Sequence, residues 1–428
     1  MNAGTGKRGE GLAHPARVVA AKEIRANLLS YKFHVVILLS TALVATSFFV
    51  MGSDYKARLA DHDLVKAKPG EPFAVNPPNP LSVFAKGLDE AMARSFEIGP
   101  VGVTVRAGQK SGNSVFAFFP APDLLYVVRV VLSLVALLLG FDQVNRERED
   151  GTLRLVLANP VPRGAILMGK WLGNFVSLAV PFALIAALGA AVLALDPAFA
   201  FSGGQVLRLG LILALSLVYA AFFLSLGLLV SALTRRSSSA LVVLLFAWAL
   251  LVFVLPNLGT LVARQAVDVP SVRTLSEKRQ QIWTREVLLR IRGEGDWASH
   301  VEAISAGNDA LEADYRVKFD RLVRLSRALN RISPVASFVY AVTEIAGTGV
   351  GEEGAFRKEV LRHKNALVER SLAAPDGGAP DVPAFRYAYR PLGRVLAEGA
   401  LFDAGWLAAG AVLLFALGHV AFVRYDVR

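Results

Sequence analysis

The chain has 428 residues, 54% of them hydrophobic and 19% charged, with a mean hydropathy of +0.47 and no cysteine. Soluble globular chains are about 45–50% apolar with glycine counted and about 25% charged, so the composition points to a membrane protein and away from three soluble domains. Absence of cysteine removes disulfides, thiolate metal sites, iron–sulfur clusters and thiol nucleophiles together, and the formal charge of +11 is first tested against the positive-inside rule before nucleic acid is considered.

Residues 1–32 form a basic leader. Within 15–30, Val18, Val19, Ile24, Leu28 and Leu29 alternate with Arg17, Lys22 and Arg25, the pattern of a basic amphipathic helix lying in the headgroup plane; a plain solvated leader is the alternative. A membrane-crossing helix needs about 20 mostly apolar residues. Six runs qualify: 33–51, 124–141, 171–195, 209–233, 237–262 and 401–423. The first is too long for the h-region of a signal peptide, normally about 7–15 residues, and is read as a retained helix.

Between the runs lie an insertion at 52–123, a charged connection at 142–170, a short loop at 196–208, a three-residue turn at 234–236, a second insertion at 263–400 and a tail at 424–428. Turn formers crowd the first insertion at 68–72 and 76–80, and the alternating Val101-Gly-Val-Thr-Val-Arg106 reads as a strand, so this part is expected to be mixed α/β. The second reads mainly helical, because Leu311, Tyr315, Phe319, Leu322, Leu325 and Leu329 recur at steps of three and four. Its 21 basic and 18 acidic residues between 263 and 398 mark it as water-facing. The expected class is thus an all-α integral membrane protein with six spans and two insertions.

Fifteen Lys and Arg residues fall in the leader, the connection, the 234–236 turn and the tail, whereas the opposing loop 196–208 has only Arg208. Lys/Arg bias in short loops sets orientation, so both termini are expected in the cytoplasm and both insertions outside it.

The connection carries the most distinctive chemistry. Asp142-Gln-Val-Asn-Arg-Glu-Arg-Glu-Asp150 is a charged cluster, Gly151-Thr152 can start a helix, Leu153, Leu155, Val156 and Leu157 form a short apolar run, and Pro160 and Pro162 end it. A two-turn helix held between two spans suits docking in a partner's groove. An ordinary interfacial turn has the same composition.

Glu147-Arg-Glu-Asp-Gly-Thr-Leu-Arg-Leu-Val-Leu-Ala-Asn-Pro-Val-Pro-Arg163 and the following Gly169-Lys170 resemble the E-x-E-x-G-T-L…L…P-x-x-R…G-K signature of ATP-binding-cassette exporter permeases of the type-2 class. The resemblance takes in the Ala21-Lys-Glu-Ile-Arg25 leader and the six spans. Asn79-Pro-Leu-Ser-Val-Phe84, Ser333-Pro334 and Ala346-Gly-Thr-Gly349 are similar to the subgroup with two large extracytoplasmic insertions. It implies a permease subunit of a bacterial inner-membrane exporter that is not itself an enzyme and works beside a second permease, identical or related. ATP and magnesium belong in a separate cytosolic ATPase. The short helix would be the coupling helix, with Glu147, Glu149, Gly151, Thr152, Leu153 and Leu155 in the ATPase contact, while Arg163 and Lys170 would meet lipid headgroups or the partner.

No P-loop competes with this reading: Gly4-Thr-Gly-Lys7 is followed by Arg8, and Met1 stands where the first glycine belongs. Gly349-Val-Gly-Glu-Glu-Gly354 fits G-x-G-x-x-G but follows no strand and reads as a loop. The six histidines show no metalloprotease spacing. Gly169-Lys-Trp-Leu-Gly173 is a spacing that permits close helix packing but, with Lys170 inside it, reads as an interfacial turn rather than a dimer face; Asp403 and Arg129, near the ends of their runs, are functional candidates that read first as headgroup-level charges. Two other functions compete: a membrane-anchored scaffold or maturation factor acting through its outer insertions, and an intramembrane enzyme, which the charge-free third, fourth and fifth runs disfavour.

Overall fold

The computed structural model describes residues 7–66, 73–74, 76, 78–92, 95–99, 102–106, 122–158, 160–373 and 385–424. The turn-forming run 68–72, Val101, the Gly4–Gly6 part of the P-loop comparison and the basic residue Arg428 lie outside them.

The helices in chain order are α1 (Lys7–Leu29), α2 (Tyr31–Lys66), α3 (Leu124–Glu149), α4 (Thr152–Ala158), α5 (Arg163–Ala194), α6 (Gly203–Leu233), α7 (Ser237–Ala266), α8 (Val272–Ile291), α9 (Trp297–Asn330), α10 (Pro334–Ala346), α11 (Val350–Ala373) and α12 (Leu392–Val423). Six of them, α2, α3, α5, α6, α7 and α12, are long and apolar enough to span a bilayer. The protein is an all-α membrane protein. In the first insertion, strands β1 (Phe73–Ala74), β2 (Ser95–Gly99) and β3 (Gly102–Arg106) make a short antiparallel ribbon, Phe73 opposite Glu97 and Phe96 opposite Val105, too slight to change that class.

Several helices run beyond the apolar segments, α2 and α12 furthest. No proline or glycine interrupts the chain between Ser53 and Lys66, so α2 continues past Met51, and its Asp54 and Arg58 pair one turn apart at 3.0 Å. Arg58 reaches on to the buried carboxylate of Asp89 and to Ser82 Oγ at 3.1 Å, which fixes the start of the first insertion. Burial pushes the Asp89 carboxyl above the usual range despite that guanidinium. At the other end of the chain, α12 begins nine residues before Leu401; Arg394 and Glu398 pair at 2.7 Å and hide this first part from a hydropathy count.

α3 and α6 are the inner helices. They cross at Gly140 and Gly227, where a Cβ on either would lie 2.8 Å from a backbone oxygen of the other helix. α10 departs from the water-facing character expected of the second insertion. Thirteen residues are too few to cross, and nearly every side chain is buried, with Phe338 stacked on Tyr219 of α6 at 4.3 Å. It is an apolar plug seated in the bundle. Beyond it, α8 and α9 form a charged antiparallel hairpin tied by Arg279–Glu312 at 2.7 Å and by His300, held between Glu286 Oε2 at 3.0 Å and the Glu294 carbonyl at 2.7 Å.

The two insertion motifs meet each other. Asn79 Nδ2 donates to the Ala346 carbonyl at 2.7 Å, Thr348 Oγ1 donates to the Ala85 carbonyl at 2.9 Å, and the Leu88 N–H donates to the Thr348 carbonyl at 2.8 Å. Gly347, at φ +77°, makes the turn that ends α10.

α1 does not lie free on the membrane surface. A Cβ at Gly169 would come 2.6 Å from the Ala16 carbonyl oxygen and one at Gly173 would come 2.7 Å from Glu23 Cβ, so the two glycines seat α1 against α5 backbone to backbone. That corrects the reading of Gly169–Gly173 as an interfacial turn. Val18, Leu28 and Leu29 remain exposed on the opposite side.

Candidate functional site

The connection closes one end of the bundle, the end that also holds the α1–α5 contact and the turn between α6 and α7. Its backbone is fastened to that turn by three hydroxyl residues spaced three apart, Ser231, Thr234 and Ser237. Ser231 Oγ accepts from the Val144 N–H at 3.0 Å; the Asn145 side-chain amide lies 2.9 Å from the Thr234 hydroxyl; Arg148 Nη1 donates to the Thr234 carbonyl at 2.8 Å. Glu149 then accepts from the Ser237 N–H at 3.0 Å and from Ser237 Oγ at 2.8 Å, supplying an acceptor and a negative charge at the start of α7.

Gly151 has φ +72° and open space where a Cβ would be, so the backbone conformation, not crowding, requires glycine there. It ends the charged turn, with its N–H donating to the Arg148 carbonyl at 3.2 Å, and Thr152 begins α4 with its hydroxyl 3.3 Å from the Glu147 carbonyl. α4 is seven residues long. Leu153 points inward, 3% exposed, among Val144, Ile166, Leu167, Leu228 and Phe422, whereas Leu155 is 71% exposed. Thr152 and Arg154 are exposed with it. A short helix, anchored by one leucine, thus presents another to whatever lies beyond the bundle.

Glu147 and Lys170 are internal. The Lys170 ammonium, 3% exposed, lies 2.7 Å from Glu147 Oε1 and 3.3 Å from Glu23 Oε1 of α1, and Lys22 Nζ approaches the same Glu147 oxygen at 3.3 Å. Burial lowers the Lys22 pKa, but the Glu23 and Glu147 carboxylates outweigh it and hold the ammonium above its ordinary range. The expected exposure of Lys170 to headgroups or a partner is therefore corrected: its charge is spent on joining α1, the connection and α5. Arg163 is half-buried and donates to the Val423 carbonyl at 2.8 Å, tying α5 to the end of α12.

Of the eight expected contact residues, the surface holds Gly151, Thr152 and Leu155 together at the tip, with Glu149 and Arg163 at its flanks; Leu153, Glu147 and Lys170 support it from within. Sequence reading missed Glu23, Ser231, Thr234 and Ser237. The hydroxyl spacing around Arg235-Arg236 is the available signal for the three hydroxyls; Glu23 lies inside the Ala21–Arg25 leader motif, which marks the segment but not its partner.

At the opposite end, Asp403 is fully buried within the protein, ion-paired to Arg327 of α9 and to Arg331 just after it at 2.7 Å each. Arg327 also stands 3.6 Å from Glu344, which meets Arg390 at 2.7 Å, and Arg390 meets Glu352 at 2.9 Å. The alternating charges weld the hairpin, the plug and the last span together.

Residues 17–427 match the family model described as ABC-2 family transporter protein. A "Probable ABC transporter permease protein NosY" from Stutzerimonas stutzeri is 32% identical over 170 residues, 38% of this chain and 60% of that protein. One of the same name from Pseudomonas aeruginosa is 31% identical over 187 residues, 41% of this chain and 67% of that protein. The matched stretch spans three-fifths to two-thirds of those relatives. The chain belongs to the ABC-2 family of transporter proteins, as a multi-pass transmembrane permease of an ABC transporter.

Proposed function

We propose that this permease is the membrane half of an ATP-driven exporter in a bacterial inner membrane, and that α4 is its coupling helix. The family implies an ATPase component. In the proposal that component is a separate cytosolic chain which binds ATP and magnesium, meets Gly151, Thr152 and Leu155, and closes on nucleotide; the permease works as a pair with a second copy or a related chain. The basic residues around the connection support a cytoplasmic location for that end and for both termini.

The observation that carries the reading is the contrast between Leu153 and Leu155 on one seven-residue helix. A movement of a docked partner would pass through α4 and Leu153 into α3, α5 and α6 as a change in packing, since a partner shifts a conformation only through contacts that differ between its two states. Export and not import rests on the resemblance of the Glu147–Lys170 segment to exporter permeases.

The test is co-expression with a candidate cassette ATPase and co-purification of the pair. Leu155→Glu is expected to leave the permease folded and abolish co-purification. Unchanged recovery of the ATPase with that variant would refute the docking role of α4.

A further inference from the structure

Only two formal charges fall inside the six apolar runs, Asp403 and Arg129. Asp403 is paired twice, as described. Arg129 makes no ion pair within 4 Å among the described residues, and its Nε is shielded from solvent without a hydrogen-bond partner. The acidic residue nearest in sequence, Asp123, feels the Arg129 charge without contacting it: its carboxylate accepts from the Lys86 N–H and the Tyr126 N–H, both at 2.8 Å, capping α3. A permanently charged guanidinium five residues inside a span, with no carboxylate in direct contact among the described residues, marks a candidate functional position.

The position is also built. Arg129 sits in a π-turn, Val128–Leu132, a local widening of the helix found often at functional sites. Its carbonyl oxygen accepts from the Tyr219 hydroxyl of α6 at 2.9 Å and from Ser133 Oγ at 2.7 Å, and Ser133 Oγ in turn accepts from Trp248 Nε1 of α7 at 2.9 Å. Three spans therefore converge on the backbone of one arginine. Its guanidinium lies 5.2 Å from the centre of the Tyr126 ring, and that ring is 44% exposed. Fixed main chain, an aromatic shelf and a guanidinium that makes no ion pair among the described residues are parts of an oxyanion site.

We infer that Arg129 anchors a binding site for a phosphate-type oxyanion at the insertion end of the bundle. The guanidinium presents parallel N–H donors to two phosphate oxygens, and Tyr126 flanks it on the exposed side. Both a lipid headgroup and the phosphate group of a small solute have this chemistry.

The experiment uses the full chain purified in a neutral detergent and follows its unfolding midpoint with three probes: inorganic phosphate, dihexanoyl phosphatidylglycerol and, as the zwitterionic control, dihexanoyl phosphatidylcholine. Wild type is expected to rise by roughly 2 °C at a tenfold excess over Kd with an anionic probe and not with the control. A response to inorganic phosphate identifies a free oxyanion as sufficient; a response to phosphatidylglycerol alone identifies a lipid. R129M is expected to lose the response while its midpoint without probe stays level or rises, because an unpaired charge has been removed. R129K, which keeps the charge without the fork, is expected to fold as wild type and bind about tenfold more weakly. Equal responses in wild type and both variants, no response in wild type, or a fall in the probe-free midpoint of R129M would overturn the inference.

Discussion

The Glu149 carboxylate grips Ser237 twice, through its backbone N–H at 3.0 Å and its hydroxyl at 2.8 Å, and so joins the end of α3 to the start of α7 across 88 residues of sequence. An acidic residue of the connection that family resemblance assigns to an external contact is satisfied inside the chain. Glu149→Ala is expected to speed amide hydrogen exchange in the first turn of α7 while leaving that of α6 unchanged, as read by mass spectrometry of the purified protein. Unaltered exchange at 237–241 would show that the cap contributes nothing.

Lys170 supports the same connection from below. Lys170→Met would remove the buried cation and leave Glu23 and Glu147 with only the largely exposed Lys22 ammonium at 3.5 and 3.3 Å, a loss at or below the low end of the cost of breaking a buried pair, about 3 kcal/mol. The unfolding midpoint is expected to drop steeply, and the triple change Glu23→Gln, Lys170→Met, Glu147→Gln to recover most of the loss. If the single and triple variants melt alike, the network is not a unit.

Much of this architecture is legible in the sequence. The six apolar runs and the helical spacing of 311–329 lie within α2, α3, α5, α6, α7, α12 and α9, because burial in lipid or against a partner helix imposes a period that a single chain displays. What stays hidden depends on pairs distant in sequence. The partners of Asp403 appear only when Arg327 and Arg331 are placed beside it, and Gly169 and Gly173 look like a turn until α1 lies on them. Lys170 was misassigned for the same reason: a lysine beside a span usually snorkels to water, and only the fold brings two carboxylates to it.

Asp403→Asn tests the other end. It would leave Arg327 and Arg331 facing a neutral amide, at a cost of roughly 2–3 kcal/mol, below the fully buried case because both arginines keep some contact with solvent. Limited proteolysis is expected to cut the α8–α9 hairpin faster in this variant. Wild-type cleavage rates would mean that α10 and α11 hold the hairpin without Asp403.

Gly151 separates backbone demand from space. Gly151→Ala is expected to cost about 1–2 kcal/mol through its left-handed conformation alone, and Gly151→Asn less, since asparagine tolerates that region and no neighbour crowds the side chain. Equal thermal stability of all three proteins would contradict the assigned geometry.

The central claim is that α4 is the surface that meets the ATPase, and site-specific crosslinking reaches it most directly. The chain has no native cysteine, so Leu155→Cys on α4 and Val317→Cys on α9, both highly exposed, give single reactive thiols at opposite ends of the molecule. With a co-expressed cassette ATPase and a short heterobifunctional thiol-to-amine reagent, position 155 is expected to yield a permease–ATPase adduct that nucleotide modulates, and position 317 none. An adduct from 317 with none from 155 would contradict both the docking role of α4 and the orientation of the chain in the membrane.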